Sequence, residues 1–252
     1  MARIKRIEHD EAAPLVDHLG ELRARVLVSL AAFGVALGLC FWQNHELLAL
    51  LRTPIGDRQL ITLGVAEPFT TTLTVSAYAA LVLALPVLLY QLYAFAVPAL
   101  APEQRRATTA LSLLVPVLFL AGAAFAFLVV VPAALQFLVH FNADQFDTQL
   151  RAREYYSFVT LTTLGVGAVF QVPIAILALT RLGIVSVAQL RRSRQYAYVA
   201  CAAVAAALPG VDPVSMLLET GPLIALYELS IVLARAFRAS PTAVPITEGA
   251  TR

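Results

Sequence analysis

The amino-acid sequence predicts an all-α integral membrane protein, with six transmembrane helices in one proline-bent, concave bundle. Of its 252 residues, 60% are hydrophobic and 13% are charged, and the mean hydropathy is +0.78. Soluble domains carry roughly 25% charged residues. Uncharged apolar runs recur along the chain, and each is long enough to cross a hydrocarbon core, which takes about 20 residues. The lipid bilayer is therefore the expected solvent.

Six apolar stretches give the predicted spans in chain order. Their expected boundaries are about 24–43, 70–97, 109–131, 156–179, 195–209 and 214–234. The fifth stretch rises only about 21 Å at 1.5 Å per residue, less than the roughly 30 Å of a hydrocarbon core. Spans five and six are both expected to be short. The chain 1–252 is interpreted as a single membrane domain, with 239–252 as a flexible C-terminal tail.

The positions of the basic residues predict that both chain ends are cytoplasmic, because cytoplasmic loops retain Lys and Arg. With the N-terminus inside, all but four of the 18 basic residues lie on the cytoplasmic side. The four exceptions are Arg52, Arg58, Arg151 and Arg153. The net charge of +2 is thus a topology signal and gives no reason to expect nucleic-acid binding.

Prolines and small residues suggest how the spans are shaped and packed. Interior prolines bend helices because they remove a hydrogen bond and clash with the preceding turn. Ordinary helix curvature and a concave bundle both fit this pattern. Gly34 and Gly38 form a GxxxG motif in span one, which predicts a close packing contact. The prolines in or beside the spans are Pro86, Pro98, Pro116, Pro132, Pro173, Pro209, Pro213 and Pro222.

Two glutamates and one glutamine are the most informative polar residues of the predicted spans, because a charge at the bilayer centre costs about 2.5 to 3.5 kcal/mol on insertion scales. Glu228 lies near the cytoplasmic end and could pair with Arg235 or contact interfacial water, so structural and functional roles are both open. Glu219 lies deeper, which favours a buried partner or a protein interface. Gln171 could hydrogen-bond within the bundle or recognise a partner.

Several chemical classes find no support in the sequence. Cys40 and Cys201 match neither a disulfide framework nor a metal site. No GxSxG, HExxH or P-loop motif occurs, so we expect no enzyme activity, metal or cofactor. A secondary transporter or ion channel is the leading alternative in function, since intramembrane polar residues can line an ion path. The chain shows no duplicated half of the kind that many transporters carry.

An N-terminal acidic motif lies directly before span one. If this segment is helical, Asp17 and Glu21 share one face, where like charges repel. Arg25, four residues after Glu21, could relieve that repulsion as an intrahelical partner. A cationic ligand is the other possibility.

Short motifs in a specific order extend along nearly the whole chain. They are His18-Leu-Gly-Glu-Leu-Arg-Ala-Arg25, Glu67-Pro-Phe69, Leu85-Pro-Val-Leu-Leu-Tyr-Gln-Leu-Tyr-Ala-Phe95, Pro98-Ala-Leu100, Arg105-Arg106, Phe170-Gln-Val-Pro173 and Leu226-Tyr-Glu-Leu229. Through these motifs the chain resembles the TatC family, the receptor subunit of the twin-arginine protein translocase.

The resemblance implies a multi-pass protein of the bacterial plasma membrane that binds the twin-arginine signal peptides of folded precursor proteins. It also implies single-span partner subunits of the TatA and TatB type, a homo-oligomeric arrangement within the complex, and use of the proton-motive force. Guanidinium groups favour bidentate carboxylates, so acidic residues are expected at the cytoplasmic face. The expected signal-peptide residues are Glu21, Arg23, Phe95, Glu103, Gln104 and Arg105.

The chain departs from the family pattern at three places. The family's second carboxylate directly precedes the Arg-Arg pair, but here Gln104 holds that place and Glu103 lies one residue earlier. The family also often carries a glutamate at Gln171 and a polar residue at Met216. We expect Glu219, one turn after Met216, to share its face and to contact a partner helix together with Gln171 and Met216. Residues assigned a structural role are Pro54, Phe69, Pro86, Pro173 and Glu228.

Overall fold

A computed structural model describes residues 13–96, 105–146, 148–181, 183–210 and 212–236, and these are mostly helical. The predicted all-α class is confirmed. The expected tail 239–252 lies outside the described residues. The helices are α1 (Ala13–Trp42), α2 (Asn44–Arg52), α3 (Glu67–Ala96), α4 (Arg105–Phe125), α5 (Val131–His140), α6 (Ala152–Val169), α7 (Val172–Arg181), α8 (Val187–Arg192), α9 (Arg194–Ala207) and α10 (Pro213–Ala236).

Five segments of the described residues are long and apolar enough to cross a membrane. The predicted fifth span corresponds to α9, which has 14 residues and rises only about 21 Å. The expectation of a short sixth span is wrong, because α10 has 24 residues and rises about 36 Å. The five segments are Leu19–Trp42, Glu67–Leu92, Leu114–His140, Ala152–Arg181 and Pro213–Arg235.

A side-chain cap fixes the start of α10. Asp212 accepts hydrogen bonds from the backbone N–H groups of Val214 (3.1 Å) and Ser215 (2.8 Å), so its side chain caps the first turn. Pro213 is the first residue of the helix, where its fixed φ fits and its missing N–H costs nothing. The helix therefore begins directly after the loop and runs without a break.

Two prolines coincide with irregular backbone, and others do not. Pro132 follows a π-helical turn, Ala126–Val130, which joins α4 to α5. Pro173 follows the break between α6 and α7, and α6 ends at Val169, whose carbonyl a proline four residues later cannot pair with. Pro86 lies inside the unbroken helix α3. The structural role predicted for Pro173, which is fully buried, is therefore to end α6.

Helix α1 packs on α3 through small side chains. Ala36 of α1 and Ala80 and Ala84 of α3 form a buried cluster, which lets the two backbones approach closely. The predicted contact at Gly34 and Gly38 is wrong for the described chain, because no described atom outside the local helix backbone would lie within 4 Å of a Cβ at either position.

Helices α4 and α6 fit together through two glycines that no sequence motif singled out. A Cβ at Gly122 would lie 2.6 Å from the ring of Phe170, and a Cβ at Gly167 would lie 2.7 Å from the ring of Phe119. Phe119 has no exposed surface. Each aromatic ring therefore occupies the space that a side chain would need, and this pairing fixes the distance between spans three and four.

A structured cap covers the bundle on the membrane side opposite the start of α1. We define the cap as residues 44–66 and 141–151, excluding 147, which is not described. Strand β1 (Leu60–Ile61) pairs in parallel with strand β2 (Leu150–Arg151), and Leu60 lies opposite Leu150. A 3-10 turn, Thr53–Ile55, follows α2 and contains Pro54 near its start, where a fixed φ is compatible.

A buried ion pair holds the cap onto the bundle. Glu67, the first residue of α3, is 6% exposed, and Arg151 donates to it from Nε (2.8 Å, to Oε1) and Nη2 (3.1 Å, to Oε2). The backbone N–H groups of Leu63 and Gly64 donate to the same carboxylate. Hydrogen bonding to Glu67 raises the pKa of the Arg151 guanidinium. One carboxylate thus connects both loops of the cap.

Tyrosines of α6 add two further connections to the cap. Tyr155 donates from its hydroxyl to the carbonyl of Leu51 at 2.7 Å, and Tyr156 donates to the carbonyl of Leu48 at 3.4 Å. The carbonyl of Leu51 lies in the last turn of α2, where helix carbonyls lack intrahelical partners. Phe69, which we expected to be structural, is 61% exposed and takes no part in this core.

Candidate functional site

A wide apolar groove of about 780 Å³ lies between α1 and the second half of α3 and reaches the end of α6. We call it the groove. Most of its lining side chains are leucines or other apolar residues. Four are polar: Arg25, Ser29, Gln91 and Gln171. The lining residues are Leu22, Arg25, Val26, Ser29, Leu30, Phe33, Leu81, Leu85, Leu88, Leu89, Gln91, Leu92, Phe95, Ala168 and Gln171.

The mouth of the groove carries the predicted acidic motif. Arg25 donates from Nε to Oε1 of Glu21 at 3.0 Å and makes a second contact to the same oxygen from Nη2. It also donates from Nη1 to Oε1 of Gln91 on α3 at 3.2 Å. The expected intrahelical pair of Glu21 with Arg25 is confirmed. The sequence did not predict a role for Gln91, although the residue lies within the Leu85–Phe95 motif.

The Glu21 carboxylate keeps one oxygen available. Both contacts from Arg25 use Oε1, and Oε2 has no hydrogen-bond partner among the described residues. The Glu21 side chain is 37% exposed, whereas that of Arg25 is 23% exposed. A charged carboxylate with a free oxygen at a wet surface can accept a guanidinium N–H from a ligand.

The other residues of the predicted signal-peptide site are described only in part. Arg23 is exposed on α1, and Phe95 lines the groove. Glu103 and Gln104 lie outside the described residues, so the choice between them stays a prediction. Helix α4 begins at Arg105, whose side chain is not described.

Gln171 lies at the break between α6 and α7, on the far edge of the groove. Its Nε2 donates to the carbonyl of Val115 on α4 at 3.2 Å. The side chain therefore makes an internal hydrogen bond while also lining the groove. Gln171 therefore forms a hydrogen bond within the bundle, which is one of the two roles left open by the sequence. Recognition of a partner, the other role, stays a prediction.

Met216 and Glu219 lie in different surroundings, although they are one turn apart on α10. Met216 is 37% exposed, whereas Glu219 is 3% exposed and its Oε1 has no hydrogen-bond partner among the described residues. The three-residue step leaves the two side chains about 60° apart on one side of the helix, and the structure places Met216 at the surface and Glu219 in the interior, so the expected contact of both with one partner helix stays a prediction. Glu219 points into the protein.

Glu228 is engaged by α9. Arg194 donates from Nη2 to Oε2 of Glu228 at 2.6 Å, and Tyr198 donates from its hydroxyl to Oε1 at 2.7 Å. The suggested pairing with Arg235 is wrong, because two residues of the neighbouring helix each occupy one carboxylate oxygen. Glu228 thus joins α9 to α10, which agrees with the structural role assigned to it.

Other ionisable clusters in the described part of the chain are structural in character. No group of three or more His, Cys, Asp or Glu residues lies close enough to hold a metal ion within the described ranges. The buried ion pair between Glu67 and Arg151 was not expected from the sequence. The sequence hinted at this ion pair only in that Arg151 is one of the few basic residues on the cap side.

Comparison with protein families gives one match that covers most of the chain. Residues 17–222 match the family model described as Sec-independent protein translocase protein (TatC). The match includes the acidic motif, the groove and the start of α10.

Individual relatives and solved structures give the same result. A Deinococcus radiodurans protein named Sec-independent protein translocase protein TatC is 35% identical, over 90% of this chain and 87% of that protein. A chloroplastic TATC protein of Arabidopsis thaliana is 36% identical, over 89% of this chain and 67% of that protein. The crystal structure of a twin arginine translocase receptor, TatC in DDM, matches with a TM-score of 0.76 and 34% identity, over 86% of this chain and 99% of that chain.

Proposed function

This chain belongs to the TatC family of Sec-independent protein translocase proteins, and from that premise we propose that it recognises twin-arginine signal peptides at the groove. The family makes it a multi-pass membrane subunit of a protein translocase that works with other Tat subunits, and not an enzyme. Signal-peptide recognition is the finer activity that we assign to the groove and its mouth.

The observation that carries this proposal is the position of one free carboxylate oxygen at the mouth of an apolar groove. A twin-arginine signal peptide has a cationic pair followed by an apolar segment. Oε2 of Glu21 has no partner among the described residues and can accept a guanidinium N–H, while Arg25 holds Oε1 and orients the carboxylate. Leucines of α3, such as Leu85 and Leu92, offer an apolar surface to the following segment.

The second arginine needs a second acceptor. We propose that Glu103 supplies it in place of Gln104, the position at which the family carries its carboxylate. Gln104→Glu should then restore binding to a Glu103→Gln protein. Loss of binding in Gln104→Ala but not in Glu103→Ala would assign the contact to Gln104 instead.

Location and partners follow the same premise. We propose that the protein lies in the bacterial plasma membrane with both termini cytoplasmic, which agrees with the distribution of its basic residues. We further propose that TatA- and TatB-type single-span subunits contact Met216 and the edge of Gln171, which are accessible on the described surface. Glu219 is buried, so a partner helix cannot touch it without a rearrangement of α10.

Binding of a labelled signal peptide to the purified chain tests the proposal. A peptide with two arginines should bind, and the matched peptide with two lysines should bind about tenfold more weakly, since a charge-assisted hydrogen bond contributes about 1.5 to 3 kcal/mol. Glu21→Gln should cause a similar loss. Glu46→Gln, the same change at an exposed residue of the cap, is the control and should have no effect.

Equal affinity for both peptides, together with unchanged binding by Glu21→Gln, would contradict recognition at this mouth. Ion or solute flux through liposomes that contain only this chain would instead favour the transporter or channel alternative.

A further inference from the structure

A second cavity, of about 300 Å³, lies between the first turns of α3 and of α6, beside the cap. We call it the hydroxyl pocket. Six of its eight lining residues carry a hydroxyl group, one is an arginine, and none is a carboxylate. It shares no residue with the groove. The lining residues are Thr70, Thr71, Thr74, Val75, Tyr78, Arg153, Ser157 and Thr160.

The arginine of this pocket has no partner among the residues that the structure describes. Arg151, two residues earlier, forms ion pairs with Glu67 and Glu154. Arg153 forms neither a hydrogen bond nor an ion pair with any residue in the described ranges. Glu154, the acidic neighbour of Arg153 in sequence, is therefore already paired with a different arginine, and Arg153 has no acidic partner within the described chain.

Several hydroxyl groups of the pocket are also free to donate. The hydroxyls of Thr74, Tyr78 and Ser157 make no hydrogen bond within the described residues. Thr71 is 6% exposed, and its buried Oγ1 likewise lacks a partner. Buried polar groups are normally paired, and an unpaired one costs about 1 to 3 kcal/mol. The pocket thus holds donors that are not matched by acceptors.

This composition selects an anion with several oxygen atoms. A guanidinium group binds phosphate oxygens through parallel N–H donors, and hydroxyl groups can donate to the remaining oxygens. No carboxylate lines the pocket, so no negative side chain in the lining would repel a bound anion. The ligand chemistry is therefore that of a phosphate or a phosphodiester.

The depth of the pocket points to the source of that phosphate. The span Glu67–Leu92 has 26 residues and rises about 39 Å, more than the roughly 30 Å of a hydrocarbon core, so its ends lie at the level of the headgroups. Thr70 and Thr74 lie within two turns of the cap-side end. Trp42, at the cap-side end of α1, is 79% exposed, which is typical of an interfacial anchor.

We propose that the hydroxyl pocket binds the phosphodiester of a phospholipid headgroup from the cap-side leaflet. Arg153 contacts the charged oxygens, and Thr71, Thr74, Tyr78 and Ser157 donate hydrogen bonds around them. The bound lipid then lies between spans two and four at the edge of the cap. This assignment does not depend on signal-peptide recognition, because no residue of the groove takes part.

Native mass spectrometry of the detergent-purified chain, titrated with phosphatidylglycerol, tests this site. Arg153→Gln should weaken the tightest lipid-binding step about tenfold, as expected for loss of a charge-assisted contact. Arg58→Gln removes the same charge from an exposed cap position outside the pocket, and should leave that step unchanged. Tyr78→Phe, which keeps the ring and removes one donor, should weaken binding by a smaller factor.

Two further arms identify the ligand. A galactolipid without phosphate should show no step that depends on Arg153. Inorganic phosphate in large excess should not displace the phospholipid, and displacement would assign the pocket to free phosphate instead of lipid. Equal lipid binding by the wild type, Arg153→Gln and Tyr78→Phe, with all three chains folded by circular dichroism, would overturn the proposal.

Discussion

The two ends of the pair formed by α3 and α6 are built from different kinds of contact. At the cap end, the ion pair of Glu67 with Arg151, the pairing of β1 with β2 and two tyrosine hydrogen bonds fix the helices by directional interactions. At the opposite end, α3 faces the groove with leucines, and a single polar cluster around Arg25 closes the mouth.

The cap end should therefore hold one geometry, whereas the groove end can adapt to its ligand. Hydrogen bonds and ion pairs specify distance and angle, so the cap end holds one geometry. Apolar contact is non-directional and roughly proportional to buried area, so a leucine-lined groove can accept apolar segments of different sequence. Substitutions at the cap end should therefore change stability, whereas those in the groove should change binding.

The largest loss of stability should come from Glu67→Ala. The change removes the acceptor of both Arg151 hydrogen bonds and of two backbone N–H groups in one step. Glu154→Ala is the matched control, because Glu154 contacts the same arginine at 3.5 Å but is largely exposed. Thermal unfolding of the purified protein in detergent should show a much lower midpoint for Glu67→Ala. Equal midpoints would show that the cap is not held by this pair.

The next largest effect should come from Gly167→Ala, between the two ends. Its Cβ would lie 2.7 Å from the buried ring of Phe119, and overpacking of this kind costs about 1 to 3 kcal/mol. Gly34→Ala is the control, because a Cβ there meets no neighbour and alanine favours a helix. A lower unfolding midpoint for Gly34→Ala than for Gly167→Ala would contradict the packing described for spans three and four.

A smaller loss is expected for Tyr155→Phe. The substitution leaves the carbonyl of Leu51 without its donor, which should lower the free energy of unfolding by about 1 kcal/mol. Tyr196→Phe is the control, since Tyr196 is 79% exposed and its hydroxyl has no hydrogen-bond partner in the described chain. Unfolding in a graded denaturant series measures both variants, and the prediction fails if their midpoints coincide.

The smallest effect on stability should come from Leu92→Ala in the groove. Leu92 is exposed, so the free energy of unfolding should change by no more than about 0.5 kcal/mol. Affinity for a twin-arginine peptide should nevertheless fall, because the groove loses apolar surface. Leu217→Ala, at an exposed position of α10 outside the groove, should change neither quantity. Loss of peptide affinity in both variants would mean that the effect is not specific to the groove.

Much of the fold could be predicted, because lipid imposes a strong rule on composition. Long apolar runs between charged segments located the spans and the short helix α9. The bounds of α10 were predicted to within two residues, and only the description of span six as short was wrong. The cap was also missed in detail, since β1 and β2 lie far apart in the sequence.

Pairings within one helix were predictable, whereas pairings between helices were not. Glu21 and Arg25 follow the i,i+4 rule of an isolated helix. For Glu228 the sequence offered Arg235 or interfacial water, but tertiary packing brings Arg194 to it from another helix. In the same way, the GxxxG glycines of span one make no close contact, and Gly122 and Gly167, which belong to no motif, do.

The pairing of β1 with β2 has a consequence for the order in which the protein is made. The strands belong to loops that are separated by spans two and three, so Leu60 cannot meet Leu150 until both of those spans have entered the bilayer. Arg151 reaches Glu67 only at that same moment. The cap can therefore be completed only after the first three spans and the loop that follows them are in place.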